Sequence, residues 1–259
     1  MSSYNAAQVR FNACVRAVAS LVPDLEASAG RVRAAVLRDV ARHVPNARTV
    51  EQLDRLWQIV VEQVPSQDRL LGTLAPREWQ QAEQLRDQAR IGTTAQRDRC
   101  VELASGHLRD ALERSAAALG QQERRLVAAI AERAATNLGY SVIRRDGTDV
   151  TGIEARRGHE VIAIKVADEG RLELDHAGLT DRTCVDRQAA LEHEMARLGA
   201  DIQTVSGEQH GSVQGGVLIA RAARRRQPTL ADGIVADHEA PSIYERRSRA
   251  ETQPRRVTS

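Results

Sequence analysis

Aromatic residues are almost missing from this 259-residue chain: they make up 2% of it, as one Phe, two Trp and three Tyr. A core must therefore be assembled from Leu, Val, Ile and Ala, and helices packed on small residues are the natural outcome. Cysteine is scarce as well. Cys14, Cys100 and Cys184 are odd in number and far apart, which argues against a disulfide framework and a cysteine zinc centre and fits a reduced, cytosolic setting. No apolar stretch follows a basic segment near Met1, so no secretory signal is expected. No window approaches the roughly 20 apolar residues that span a bilayer. An excess of one charge is also lacking: the formal net charge is +2, too small a field to demand an anionic partner. The last scarcity is lysine, since 36 of the 37 basic residues are arginine and one is Lys165. That ratio reflects a GC-rich, bacterial coding sequence rather than selection for phosphate binding.

What is present divides near Gly139. From Asn5 to about Leu138 the apolar residues follow helical spacing. Val9, Ala13, Ala17 and Leu21 make one stripe, with Pro23 closing that helix or opening the next, and Val32, Val36, Val40 and Val44 make a second. Thr49 with Gln52 is a capping-box signature ahead of Leu53, Leu56, Trp57, Val60 and Val64, and Pro65 stops that helix. Pro76 opens a further helix anchored by Trp79 and Leu85. After the break at Gly92, Thr93 and Gln96 cap a long run whose seam is Leu103, Leu108, Leu112, Leu119, Leu126, Ile130 and Ala134. The spacing predicts a helical hairpin or coiled coil, with Gly120 marking a bend.

Beyond Tyr140 the period shifts towards two. Strands are predicted over 141–145, 150–157, 160–167 and 171–175, joined by glycine-containing turns as an antiparallel meander. The central one, Glu160-Val161-Ile162-Ala163-Ile164-Lys165-Val166, is dominated by β-branched residues. Thr183 with Asp186 caps a helix over 183–198 that Gly199 ends. The expected fold is α+β: an all-helical domain over 4–138, a small α+β domain over 139–203 with its helices on one sheet face, and a flexible, arginine-rich tail over 204–259.

A strand ending in Lys165, preceded by an acidic hairpin and by a helix closing in Leu138-Gly139-Tyr140, resembles part of a restriction-endonuclease core. In that family a Glu-x-Lys strand follows an aspartate, and the resemblance implies a magnesium site activating water. Asp149 or Glu154 would supply the first acid. The second belongs at position 163, on the face of Lys165, and that position is alanine. A solvated strand lysine whose stem covers apolar surface is the plainer assignment. Residues 139 to 199, with their Leu174-Asp175-His176-Ala177-Gly178 turn and following capped helix, also look like small accessory domains encoded beside ATPases in bacterial conflict systems.

Other chemistries lack their parts. Asp175 and His176 are on opposite faces of a strand, and His193 has no second histidine at helical spacing. Cys184 has the apolar spacing of a buried thiol with Leu191 and Met195, and Gly215-Gly216 is followed by no Gly-Lys-Ser/Thr. No cofactor and no metal is expected. The function this composition fits is a cytosolic, non-enzymatic interaction or scaffold protein that self-associates or docks a protein partner through its helices, as an accessory part of a larger bacterial assembly. The alternative is a nucleic-acid-processing protein with a degenerate endonuclease-like domain, in which Arg221, Arg224, Arg225 and Arg226 contact phosphates without sequence preference.

Overall fold

The computed structural model describes residues 2–27, 30–179, 182–202 and 215–239. The chain divides into two compact units, residues 1–123 and 124–259. The first consists of α1 (Ser2–Ala27), α2 (Gly30–His43), α3 (Val50–Trp57), α4 (Gln67–Leu74), α5 (Pro76–Ile91) and the greater part of α6 (Thr94–Asn137). α3 starts where its capping box predicts: Thr49 Oγ1 accepts the Gln52 N–H at 3.3 Å, and Gln52 Oε1 accepts the Arg48 N–H at 2.9 Å. The N–H of Thr93 likewise donates to Gln96 Oε1 at 3.2 Å ahead of α6. Leu53, Leu56, Trp57, Val60 and Val64 are all buried. The two tryptophans meet there, Trp57 stacking on Trp79 with centroids 4.9 Å apart, and the Arg86 guanidinium covers Trp57 at 4.6 Å while reaching Asp54 and Glu62 at 3.0 and 3.3 Å. The two tryptophans are thus concentrated at one joint between α3 and α5, where their large area counts most.

Several expectations for the helices are corrected. The buried stripe of α1 is Phe11, Val15, Val18, Val22 and Leu25, while Val9 is 64% exposed. Two apolar stripes compete on this helix, and the one carrying the single phenylalanine and the larger aliphatics is buried. Pro23 is inside α1, which continues to Ala27. The run from Thr94 to Asn137 is one helix with no reversal at Gly120. One glycine costs about 1 kcal/mol in a helix interior, and Ala116 before it and Ala128 after it are both buried. Leu103 and Leu126, assigned to the apolar seam, are exposed, and Ala104, Ala111, Ala131 and Ala135 are buried instead. The two compact units meet within α6, at 123/124.

In the second unit β1 (Ser141–Asp146), β2 (Val150–Arg157), β3 (Glu160–Ala167) and β4 (Leu172–Ala177) form an antiparallel sheet in the order β1-β2-β3-β4, the predicted meander. α7 (Arg182–Arg197) follows. On one face, here the inner face, Ile153, Ala155, Ile162, Ile164 and Val166 pack with Ala128, Ala131, Ala134 and Ala135 of α6 and with Leu191 and Met195 of α7. Small residues on α6 let a helix backbone approach the sheet closely, which is how this core does without aromatic bulk.

The other, outer face is covered as well. Within the segment expected as a flexible tail, α8 (Val217–Arg224) and α9 (Leu230–Glu239) are helical and pack on the sheet. Ile219, Ala222 and Ile234 gather over Ala163 of β3. Composition misled here because Gly, Arg and Gln dominate the segment while only a few apolar residues carry the contact. Two glycines make the approach close: a Cβ on Gly152 of β2 would be 2.4 Å from the Ala231 carbonyl oxygen, and one on Gly233 2.4 Å from that of Ala222. The remaining expected tail, 204–214 and 240–259, is outside the described residues.

Gly152→Ala is expected to destabilise the protein by about 1–3 kcal/mol through overpacking. Gly106→Ala, where an added Cβ meets nothing within 4 Å, should stabilise α6 by about 0.5–1 kcal/mol. Denaturant unfolding of the two variants checks both signs.

Candidate functional site

The strand pairing places side chains in rows across the outer face, because directly opposed residues of antiparallel strands share a face. One row runs Ile143, Glu154, Ala163, Asp175, and the next runs Arg145, Gly152, Lys165, Glu173. Lys165 and Glu154 therefore share the face the endonuclease resemblance requires, but they are in different rows and serve different partners.

Lys165 Nζ bonds Glu173 Oε1 at 3.0 Å across β3 and β4. Its other row neighbour is Gly152, whose space the α9 backbone takes. Glu154 is 2% exposed; its Oε2 accepts the N–H of Leu230, the first residue of α9, at 2.6 Å, and its Oε1 is held by Arg156. Asp149 is exposed in the turn between β1 and β2. Among the described residues no three His, Cys, Asp or Glu side chains are grouped to hold a metal.

Asp175 is the second carboxylate of the Glu154 row, on β4. Its Oδ1 accepts the Gly216 N–H at 2.7 Å and its Oδ2 accepts the Ile219 N–H at 3.0 Å. These are donors of the first turn of α8, which has no partner within its own helix for them. Two carboxylates of one row, on strands flanking Ala163, thus each receive a helix N-terminus, where negative charge complements the helix dipole. α9 has a cap of its own too: Thr229 Oγ1 accepts the Asp232 N–H at 3.1 Å and donates to Asp232 Oδ2 at 2.6 Å. Asp232 also pairs with Arg145 at 2.8 Å, and the Thr229 hydroxyl, helped by Arg145, holds its carboxyl below the usual range. The spacing Thr229-x-x-Asp232 was a readable capping signal, as was the apolar Val217-Leu218-Ile219 after two glycines.

The four arginines expected to meet phosphates are not equivalent. Arg225 binds Asp237 at 2.7 Å, whereas Arg221, Arg224 and Arg226 are exposed at the C-terminal end of α8.

On the inner face, Glu160 accepts from Tyr140 Oη at 2.8 Å and from Arg157 at 2.6 Å, and Arg157 stacks over Tyr140 at 4.5 Å and donates to the Leu138 carbonyl at 2.9 Å. This network closes the C-terminal end of α6 against the sheet. Burial works against the Glu160 carboxylate, but Tyr140 and Arg157 together hold its acidity stronger than usual. His176 is 8% exposed, and neither ring nitrogen has a hydrogen-bond partner among the described residues. Burial therefore depresses its pKa, against the pull of Asp175 and Glu160. Burial, with Asp175, pushes the thiol of half-buried Cys184 up.

No protein-family model, no curated protein and no solved structure matches the chain. No helix among the described residues is long and apolar enough to cross a membrane.

The sign of the His176 shift sets a pH window. The unfolded chain binds this proton near pH 6.5 and the folded chain only at lower pH. Stability due to this residue is therefore complete above about pH 6.5 and falls below it, by at most about 1.4 kcal/mol per pH unit. Denaturation midpoints measured from pH 5 to 8 should show that fall in the wild type and a flatter profile in His176→Gln.

Proposed function

We propose that this is a non-enzymatic interaction or scaffold protein that associates through its helical unit. The observation that carries the reading is the internal use of the charged groups on the sheet. Lys165 is spent on Glu173 and Glu154 on Leu230 and Arg156. A metal-dependent nuclease needs its acids directed at an open cleft. On the helical unit, large apolar side chains from four helices face solvent: Val9 of α1, Val32 of α2, Ile91 of α5 and Leu103 of α6, with Ile91 86% exposed. A long helix with small buried residues and apolar exposed ones suits side-by-side contact with another helical chain. A cytosolic setting and an accessory place in a bacterial assembly fit this reading.

A degenerate nuclease-like, nucleic-acid-binding protein is the second reading, favoured by the exposed Arg221, Arg224 and Arg226 at the end of α8. Helix C-termini accept cations well. Three phosphate contacts would make the logarithm of affinity for duplex DNA fall with the logarithm of salt with a slope of about −2.7.

Light scattering across a concentration series is expected to show self-association, with Ile91→Glu and Leu103→Glu shifting it towards the monomer while the thermal midpoint is little changed. A wild-type monomer at every concentration would remove self-association from the proposal. For the second reading, replacing Arg221, Arg224 and Arg226 by Ala should abolish salt-sensitive DNA binding, and Lys165→Ala should leave it unchanged. Magnesium-dependent cleavage lost in Lys165→Ala would overturn the non-enzymatic assignment.

A further inference from the structure

The two faces of the sheet are closed by different means. Twelve buried residues, among them Ile153, Ile162, Ile164, Leu191 and Met195, form the inner core. Among the described residues the outer layer has four, Ala163, Ile219, Ala222 and Ile234, of which two are alanine, with Ala177, Leu218 and Leu230 partly buried against them. What the outer layer has in addition is polar. Asp175 receives the N-terminus of α8 and Glu154 that of α9. Arg145 bonds Asp232, and the Thr148 N–H donates to Glu239 Oε1 at 3.1 Å at the far end of α9. α8 and α9 are also packed on each other closely enough that Gly233 tolerates no Cβ against Ala222, so the pair moves as one body if it moves.

We propose that α8 and α9 form a strap that detaches from the sheet as a unit while the meander and its inner helices stay folded, with Glu154 and Asp175 as its two fastenings. Segments with few buried apolar contacts open at lower free energy than the core around them. The fastenings are at the N-termini of both helices, so losing either carboxylate leaves first-turn N–H groups unsatisfied against the sheet and favours the open form. Opening exposes the row Glu154, Ala163, Asp175 to solvent. That surface is negative at both ends and small in the middle, matched to helix N-termini and unfavourable to phosphate. The inference is independent of the association proposed for the helical unit, since no residue is common to the two.

Native-state hydrogen exchange of the full chain, read by mass spectrometry at increasing sub-denaturing urea, tests it. In the wild type, amides of 217–239 are expected to exchange together and at least about tenfold faster than those of β2 and β3. Asp175→Ala and Glu154→Ala should each speed exchange over 217–239 by about tenfold, the scale of one lost helix cap, and leave β2 and β3 as they were. Asp175→Asn, which keeps one acceptor oxygen, should fall between wild type and Ala. Glu173→Gln, at the Lys165 pair, should move neither region. If 217–239 and the strands exchange at one rate in the wild type, the strap is part of a single cooperative unit and the proposal fails. It fails equally if the Ala variants speed both regions alike.

Discussion

The second unit turns on a carboxylate placed beneath a helix N-terminus. An ionised side chain is tolerated in a nearly dry setting only where hydrogen bonds replace its water, and the first turn of a helix offers unpaired N–H groups and a favourable dipole together. Glu154 at 2% exposure meets that condition with Leu230 and Arg156, and half-buried Asp175 is held in the same way by Gly216 and Ile219. Each need is met by the other partner: the acids could not be so covered without the helices, and the helices would leave first-turn donors unpaired without the acids. Burial of two isoleucines, Ile219 and Ile234, is worth roughly 3–6 kcal/mol as an upper bound. Hydrogen bonds to charged groups at about 1.5–3 kcal/mol each are thus of the same order, not a decoration on an apolar contact.

The same geometry explains why the central strand looks like a catalytic element and is built as a structural one. An alternating strand that holds Lys165 and is flanked by acids on its neighbours has the ingredients of a nuclease centre. Register decides otherwise, because Glu154 and Asp175 are level with Ala163 while Lys165 is level with Gly152 and Glu173. Ala163 and Gly152 leave room for a helix backbone beside the long side chains of Glu154 and Lys165. Position 163, where the resemblance requires an acid, is instead where Ile219, Ala222 and Ile234 converge.

Legibility followed the strength of local signals. β2 and β3 were readable to the residue because β-branched runs between glycine turns specify a strand with little help from elsewhere. The capping boxes at Thr49 and Thr93 were readable because they satisfy backbone donors locally. The buried stripe of α1 was not, since Val9 and Phe11 each begin an apolar series and only the partner helices select between them. Nor were α8 and α9: their contacts reach Glu154 across 76 residues and Asp175 across 44, and Gly152, which admits α9, reads in sequence as a weak point in a strand. Asp175 was visible as an acid before a turn but not as a cap, because the donors it serves come from a helix that composition had assigned to a flexible tail.

Scarcity of aromatic side chains draws these observations together. Rings supply large buried area for few residues, and with Trp57 and Trp79 committed to the α3–α5 joint the described residues of the C-terminal unit have Tyr140 as their buried ring. Two substitutes are used there. On the inner face, alanines of α6 bring a helix backbone close to branched strand residues, so that dispersion over many small contacts does the work of a few large ones. On the outer face, glycines and an alanine give the same closeness, but the apolar area is smaller and charged caps make up the difference. Attachment by caps is directional and depends on each single group, whereas attachment by apolar area is spread over many. A surface held in the first way is sensitive to the loss of one carboxylate, whereas one held in the second spreads the same loss over many contacts. That difference, and not the presence of any reactive group, is what gives this sheet two unlike faces.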